Sequence, residues 1–200
     1  MRRGILKQEL ILSDFQKQVL IGYLLGDGHI ETWKNSQAAR LKVEQGLVQK
    51  EFVDWLFEVF GEFVKTPPKL KQKSVYFNTL SSSEFYEFHR MFYLNGRKII
   101  PNDLDLLLKP ISLAIWFMGD GSVKSKETNG RIINTHAFTE VEINKTCLLL
   151  KEKFALQTSV RRQKDGLQIY ISAKSAGVLS NLISAYLLPI FNYKLPRFKN

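Results

Sequence analysis

Asp27 and Asp120 each close an apolar run and stand between two glycines, in "LIGYLLGDGHI" (residues 20 to 30) and "SLAIWFMGDGSV" (residues 112 to 123). They lie 120 − 27 = 93 positions apart. A lysine trails each one: Lys98 in "NGRKIIP", 98 − 27 = 71 residues after Asp27, and Lys194 in "NYKLP", 194 − 120 = 74 residues after Asp120. Two carboxylates and two ammonium groups in a repeated order suit the hydrolysis of a phosphodiester, where the water must be activated and the growing negative charge neutralised. Hard divalent cations held by carboxylates do both, and Mg²⁺ is preferred because its oxygen ligands can include phosphate and water. Lysines nearby stabilise developing charge or hold an active water. Each aspartate also falls at the negative end of a helix dipole. A purely structural aspartate tends to avoid that place, whereas a cation-bound one has its charge compensated.

The elements that must position these groups occur twice. Ser13-Asp14-Phe15-Gln16 has the spacing of a capping box and starts a helix running to about Gly26. "ARLKVEQ" alternates Leu41 and Val43 against Arg40, Lys42 and Glu44, the period of a strand with one wet face, and its partner is expected near His29 to Trp33. Residues 49 to 63 return Phe52, Leu56, Val59 and Phe63 at helical spacing; "PPKLKQKSVYFNTL" reads as two strands around a lysine-rich turn, and "SSEFYEFHRMFYL" as a further helix. In the second half Pro110 suits a first helical turn, and that helix is expected to reach Met118. "KSKETNG" is a polar loop, "RIINTHAF" alternates as a strand, and Thr139 or Glu140 opens a helix carrying Ile143, Cys147, Leu150 and Phe154. "TSVRRQKDGLQIYIS" reads as a hairpin with a type I′ turn at Asp165-Gly166, and the last helix as about Ser175 to Leu188. Small residues would let the two aspartate-bearing helices cross closely: Gly22 with Gly26 on one, Ala114 with Gly119 on the other.

Composition narrows the partner. The 200 residues are 44% hydrophobic and carry a formal charge of +10, with 29 Lys and Arg spread along the chain. A folded basic surface of that kind usually meets a polyanion, most often nucleic acid. One cysteine excludes a disulfide framework, and three scattered histidines do not make a His-based metal site. The opening apolar stretch is broken by Lys7, Gln8 and Glu9, so neither a signal peptide nor a membrane span is expected. The expectation is an intracellular protein of cytoplasm, nucleoid or organelle matrix, not secreted.

"LIGYLLGDG" and "SLAIWFMGDG" resemble the paired motifs of the LAGLIDADG homing endonucleases in their single-chain form, and "KIIPNDL", "NTHAFT" and "YLLPIFNYKLP" are similar to further stretches of the intron-encoded branch. The resemblance implies an α+β fold of two αββαββα repeats, here 1–98 and 99–200, related by a pseudo-two-fold axis. Antiparallel saddle-shaped sheets would pack across two central motif helices. It further implies a monomer that cuts double-stranded DNA at a long asymmetric site with Mg²⁺, leaving 3′ overhangs, with Mn²⁺ or Ca²⁺ as substitutes in binding. The implied metal site is Asp27 and Asp120 with the adjoining Gly26 and Gly119; Lys98 and Lys194 line the two cleavage pockets, Gln45 is a polar pocket residue and Thr139 its looser counterpart. Two departures stand out: Ile115 where the first motif has Gly22, and Gly46 where some members carry a lysine.

Arg40, Lys42, Lys71, Lys73, Arg161, Lys164, Gln168 and Tyr170 fall on strands or turns with an exposed face and are candidates for phosphate and base-edge contacts. Two rival functions share the fold. An RNA maturase acting on a host intron needs the basic surface but can dispense with the metal ligands. A catalytically inactive DNA-binding protein needs neither carboxylate.

Overall fold

The computed structural model describes residues 10–125 and 127–196. Its helices and antiparallel sheets group into two compact units, one of residues 10–17 and 30–89, the other of residues 18–29 and 90–196. The grouping cuts across the sequence repeat, because the end of the first motif helix belongs to the second unit.

Helix α1 spans Asp14–Leu25. The capping box starts it: the Ser13 N–H donates to Gln16 Oε1 at 2.8 Å and the Gln16 N–H to Ser13 Oγ at 3.2 Å. The chain continues with β1 (His29–Thr32), β2 (Ala39–Gly46), α2 (Lys50–Val59), β3 (Lys69–Lys71), β4 (Ser74–Asn78) and α3 (Ser83–Phe92), and the sheet of these strands runs in the order β1-β2-β4-β3. Strict alternation makes one face of this sheet core. Leu41, Val43, Val75 and Phe77 are buried, and Phe52, Val53 and Leu56 of α2 pack over them. The other face carries Arg40, Lys42, Glu44 and Tyr76, because pairing of Glu44 with Tyr76 and of Lys42 with Asn78 keeps polar residues in line.

The second unit holds β5 (Tyr93–Leu94), β6 (Arg97–Lys98), α4 (Leu104–Leu107), α5 (Pro110–Asp120), β7 (Gly121–Val123), β8 (Arg131–Asn134), α6 (Glu140–Phe154), β9 (Thr158–Gln163), β10 (Gly166–Ile171) and α7 (Ala176–Ile183). Its four-stranded sheet has the order β7-β8-β10-β9, the same pattern as the first. Ile133 pairs with Ile169 on the core face, and Asn134, Gln168 and Arg161 line up on the other.

Three expectations change in detail. The β9–β10 hairpin forms, but among the described residues positive φ falls on Gly166 (φ +135°) and not on Asp165. A type I′ turn needs positive φ at both central residues, so this turn is of another type. The last helix stops at Ile183 and is followed by 3-10 turns at Ser184–Tyr186 and Pro189–Lys194. Leu188 precedes a proline, whose ring disfavours helical backbone there. Helix α5 runs two residues past Met118 and takes Asp120 as its last residue.

Candidate active site

The site grows from the contact of residues 18–27 with α5. Every residue from Ser112 to Met118 is buried, as expected for a helix apolar on all sides. Gly22 faces the Ser112 carbonyl, and a Cβ placed on it would lie 2.7 Å from the Cβ of Ile115. Ile115 therefore fills the space that Gly22 leaves, so its replacement of a second glycine does not loosen the crossing. The Ser112 hydroxyl completes the contact by donating to Gln18 Oε1 at 2.5 Å.

The same economy of space brings the two carboxylates together. A Cβ on Gly26 would stand 2.5 Å from Asp120 Oδ2, and one on Gly119 would stand 3.5 Å from Asp27 Oδ2. Each aspartate thus reaches over the glycine that precedes the other. The second glycine of each motif has a different task. Gly28 donates its N–H to the Tyr23 carbonyl at 2.7 Å, and a Cβ there would lie 2.7 Å from the Tyr23 ring; a Cβ on Gly121 would lie 2.6 Å from Cγ of Phe117. These glycines let the chain fold back over an aromatic ring into β1 and β7.

Both lysines arrive at the helix ends. Lys98 Nζ donates to the Gly26 carbonyl at 2.6 Å. Lys194 Nζ donates to the Met118 carbonyl at 2.5 Å and the Gly119 carbonyl at 3.2 Å. Orphan carbonyls at a helix C-terminus attract cations, so each lysine caps the motif helix of its own repeat while standing beside the carboxylates. Lys98 is presented by the β5–β6 hairpin, whose Asn95-Gly96 turn has φ of +51° and +76°. Asn-Gly is the favoured pair for a type I′ hairpin, and the dipeptide was the sequence signal for this element.

Burial and like charge set the electrostatics. Burial first, then the neighbouring Asp27, raise the Asp120 carboxyl to a pKa of about 7, against the pull of Lys98 and Lys194. Burial lowers both lysines to about 8, with Asp120 and Asp27 opposing the shift. A divalent cation held at this carboxylate would have to displace a proton from Asp120 near neutrality. Apparent cation affinity is expected to rise between about pH 6 and pH 8 and to level off above, which calorimetric Mn²⁺ titrations at the two pH values would check. An affinity independent of pH would contradict the shift.

A cleft of about 240 Å³ opens beside the carboxylates, bounded by Gly26, Asp27, Asp120, Asn134, Thr135 and His136. Among the described residues no cluster of three or more His, Cys, Asp or Glu is placed to hold a metal ion. The donors on offer are two carboxylates and helix-end carbonyls, an all-oxygen set that fits Mg²⁺, which keeps waters and takes phosphate oxygens as further ligands.

The site thus unites Asp27, Asp120, Gly26, Gly119, Lys98 and Lys194. Gln45 belongs to the first unit, where it ends the buried face of β2 opposite Val75. Thr139 is the N-cap of α6: its Oγ1 accepts the Glu142 N–H at 3.3 Å, and its own N–H donates to Glu142 Oε2 at 2.7 Å. The capping box accounts for Thr139, and the cleft wall is made by the residues just before it, Asn134 to Phe138. The signal was "NTHAFT" itself, since residues just past a strand end precede the cap of the next helix.

The candidate interface residues sit on the polar sheet faces and turns. Arg40 pairs with Glu31 at 2.6 Å and lies over the Trp33 ring at 5.3 Å, and Lys42 pairs with Glu44 at 3.1 Å. Lys71 and Lys73 are exposed around the β3–β4 turn, and Lys164 is exposed in the β9–β10 turn. Gln168 donates to Asn134 Oδ1 at 2.8 Å, and Tyr170 carries Lys124 over its ring at 5.1 Å; both share the polar face with Arg161.

Two Gly-Asp-Gly helix ends packed over each other's glycines mark a class of fold, and comparison with known proteins names it. Residues 17–179 match the model of the LAGLIDADG DNA endonuclease family, and the chain belongs to that family. It is 30% identical over 203 residues to a probable intron-encoded endonuclease 1 of Wickerhamomyces canadensis, covering 94% of this chain and 87% of that one. It is 29% identical over 195 residues to the cytochrome b mRNA maturase bI2 of Debaryomyces hansenii, covering 90% of this chain and 73% of the relative. The solved structure of the homing endonuclease I-WcaI bound to its DNA recognition sequence superposes with a TM-score of 0.89 at 30% identity, over 94% of this chain and 89% of that one. No helix among the described residues is long and apolar enough to cross a membrane.

Proposed function

We propose that the protein is a site-specific endonuclease that cuts both strands of double-stranded DNA at a long asymmetric target, leaving 3′ overhangs, and that it works as an intracellular monomer with Mg²⁺. The observation that carries this reading is the crossing of Asp27 and Asp120 over each other's glycines. Asp27 and Asp120, with carbonyls at Gly26 and Gly119, would hold the divalent cation, which supplies Lewis-acid stabilisation of the phosphate and lowers the pKa of the attacking water. The close glycines fix both carboxylates in one place before substrate arrives. Lys98 and Lys194, anchored on the helix ends, lend positive charge where it grows negative on the phosphorane. Burial keeps their pKa values near 8, so each can also exchange a proton with a nearby water close to neutral pH.

A duplex joining the sequences that flank the gene tests the reading. Cuts on both strands in Mg²⁺ are expected, and an intact duplex under conditions of full binding would refute it. Lys98→Ala and Lys194→Ala should each slow single-turnover cleavage by about 10²-fold, the size expected for one preorganised charge contact, with the fold intact by circular dichroism. Binding should weaken steeply with added salt, because the basic polar faces release counterions from phosphates. An affinity flat between about 50 and 200 mM salt would exclude those faces as the DNA surface.

The maturase-named relative favours a second reading, action on a host intron RNA. Both carboxylates are present at the helix ends, which maturation alone does not require. Splicing of a precursor RNA that persists in Asp27→Asn while DNA cleavage is lost would establish a double role.

A further inference from the structure

Arg131 opens β8 on the core face of its sheet, opposite Ile171, and is only 2% exposed. Stripping a guanidinium of water is costly, and a well-packed apolar side chain in its place is often neutral or stabilising. The cation is offset by what it holds. Its Nε donates to the Lys194 carbonyl at 2.6 Å, its Nη2 to the Leu195 carbonyl at 2.5 Å and its Nη1 to the Gly130 carbonyl at 3.0 Å.

Two of those carbonyls belong to the segment that carries the second lysine. The 3-10 turn Pro189–Lys194 has no strand ladder to fix it. Lys98, by contrast, is held by pairing with Tyr93 in the β5–β6 hairpin. The two lysines of the site are therefore secured by unrelated means. Lys194 is itself 5% exposed, and its ammonium group reaches the Met118 and Gly119 carbonyls just before Asp120.

We infer that Arg131 is a positioning residue for Lys194: it clamps the backbone at residues 194–195 so that the ammonium group stays on the end of α5 beside Asp120. The catalytic part of this inference rests on the nuclease reading above, but the clamp does not. Because Lys98 has its own anchor, loss of Arg131 disables one lysine and spares the other.

Two measurements on the full-length protein test it. Without DNA, lysine acylation followed by mass spectrometry compares Arg131→Met and Arg131→Lys with the parent. With duplex labelled separately on each strand, single-turnover rates are compared with those of Lys194→Ala and Lys98→Ala. In Arg131→Met, Lys194 should acylate at least about tenfold faster while Lys98 is unchanged, since only its local anchor has been freed. Cutting should slow on the order of 10²-fold with the strand bias of Lys194→Ala, as misplacement of a catalytic group by about an ångström would produce. Arg131→Lys, keeping a charge and donors, should restore part of both. Lys194 as protected in Arg131→Met as in the parent would overturn the inference. So would equal opening of both lysines, or a loss with the bias of Lys98→Ala, because either denies a specific clamp. A parent that cuts no DNA would sink the nuclease reading alone, and the acylation result would still decide the clamp.

Discussion

Asp120→Asn, and equally Asp27→Asn, is expected to lower cleavage of both strands by more than about 10³-fold while leaving DNA affinity within a few-fold of the parent. Removing one preorganised electrostatic contact costs about 10²–10³ in rate, and here the group lost would also hold the cation. The charged sheet faces that would bind phosphates are untouched. Stability should move the other way. The folded-state pKa of Asp120 is about 7 against an ordinary value of 3.8, so the folded protein binds this proton more tightly than the unfolded chain. That contribution is fully present below the ordinary value and is lost as pH rises through about 7. Asp120→Asn removes the buried charge and should melt higher than the parent at pH 8 without metal, by about 2–4 °C for each ~1 kcal/mol relieved. At about pH 4, where the parent carboxyl is protonated, the gap should close. Parental cutting rates in either variant would remove the aspartates from the mechanism.

The glycines divide between chemistry and folding, and a pair of substitutions should separate the two. Gly26→Ala puts a methyl 2.5 Å from Asp120 Oδ2. The end of one side chain can swing aside cheaply, so the fold should survive while the carboxylate leaves its place, with a rate loss on the order of 10²-fold. Gly22→Ala instead drives a methyl against the Ser112 backbone and within 2.7 Å of Ile115 Cβ, in a core with no slack. That overpacking should cost about 1–3 kcal/mol of stability. Urea unfolding with single-turnover rates checks both. Gly26→Ala that unfolds early would show that the Asp120 side chain cannot swing aside, and Gly22→Ala that leaves the urea midpoint unchanged would show that the crossing is not as close as described.

Much of this was legible because the signals are local and steric. Ser13 with Gln16, the alternation of Leu41 and Val43, and Pro110 at a helix start each act within one element, and each element starts where expected. The Gly-Asp-Gly pair was legible because its repetition marked it, and Gly22 makes a close approach to Ser112 and Ile115. What escaped depends on partners distant in sequence. Thr139 offers a hydroxyl that a pocket or a cap can use, and only Glu142 folding back on it decides for the cap. Arg131 looks like any strand arginine until the register turns it inward against carbonyls 63 and 64 residues away. The hairpin carrying Lys98 was within reach, since Asn95-Gly96 announces it, but two-residue strands leave no periodicity to read.

The central claim is that carboxylates from two sequence repeats share one cation site. Anomalous scattering from Mn²⁺ in crystals of the protein with its uncut target duplex tests it most directly. The account predicts density within about 2.5 Å of an oxygen of Asp27 and of an oxygen of Asp120. Density bound by one aspartate alone, or ordered DNA at the cleft with none at either, would contradict it.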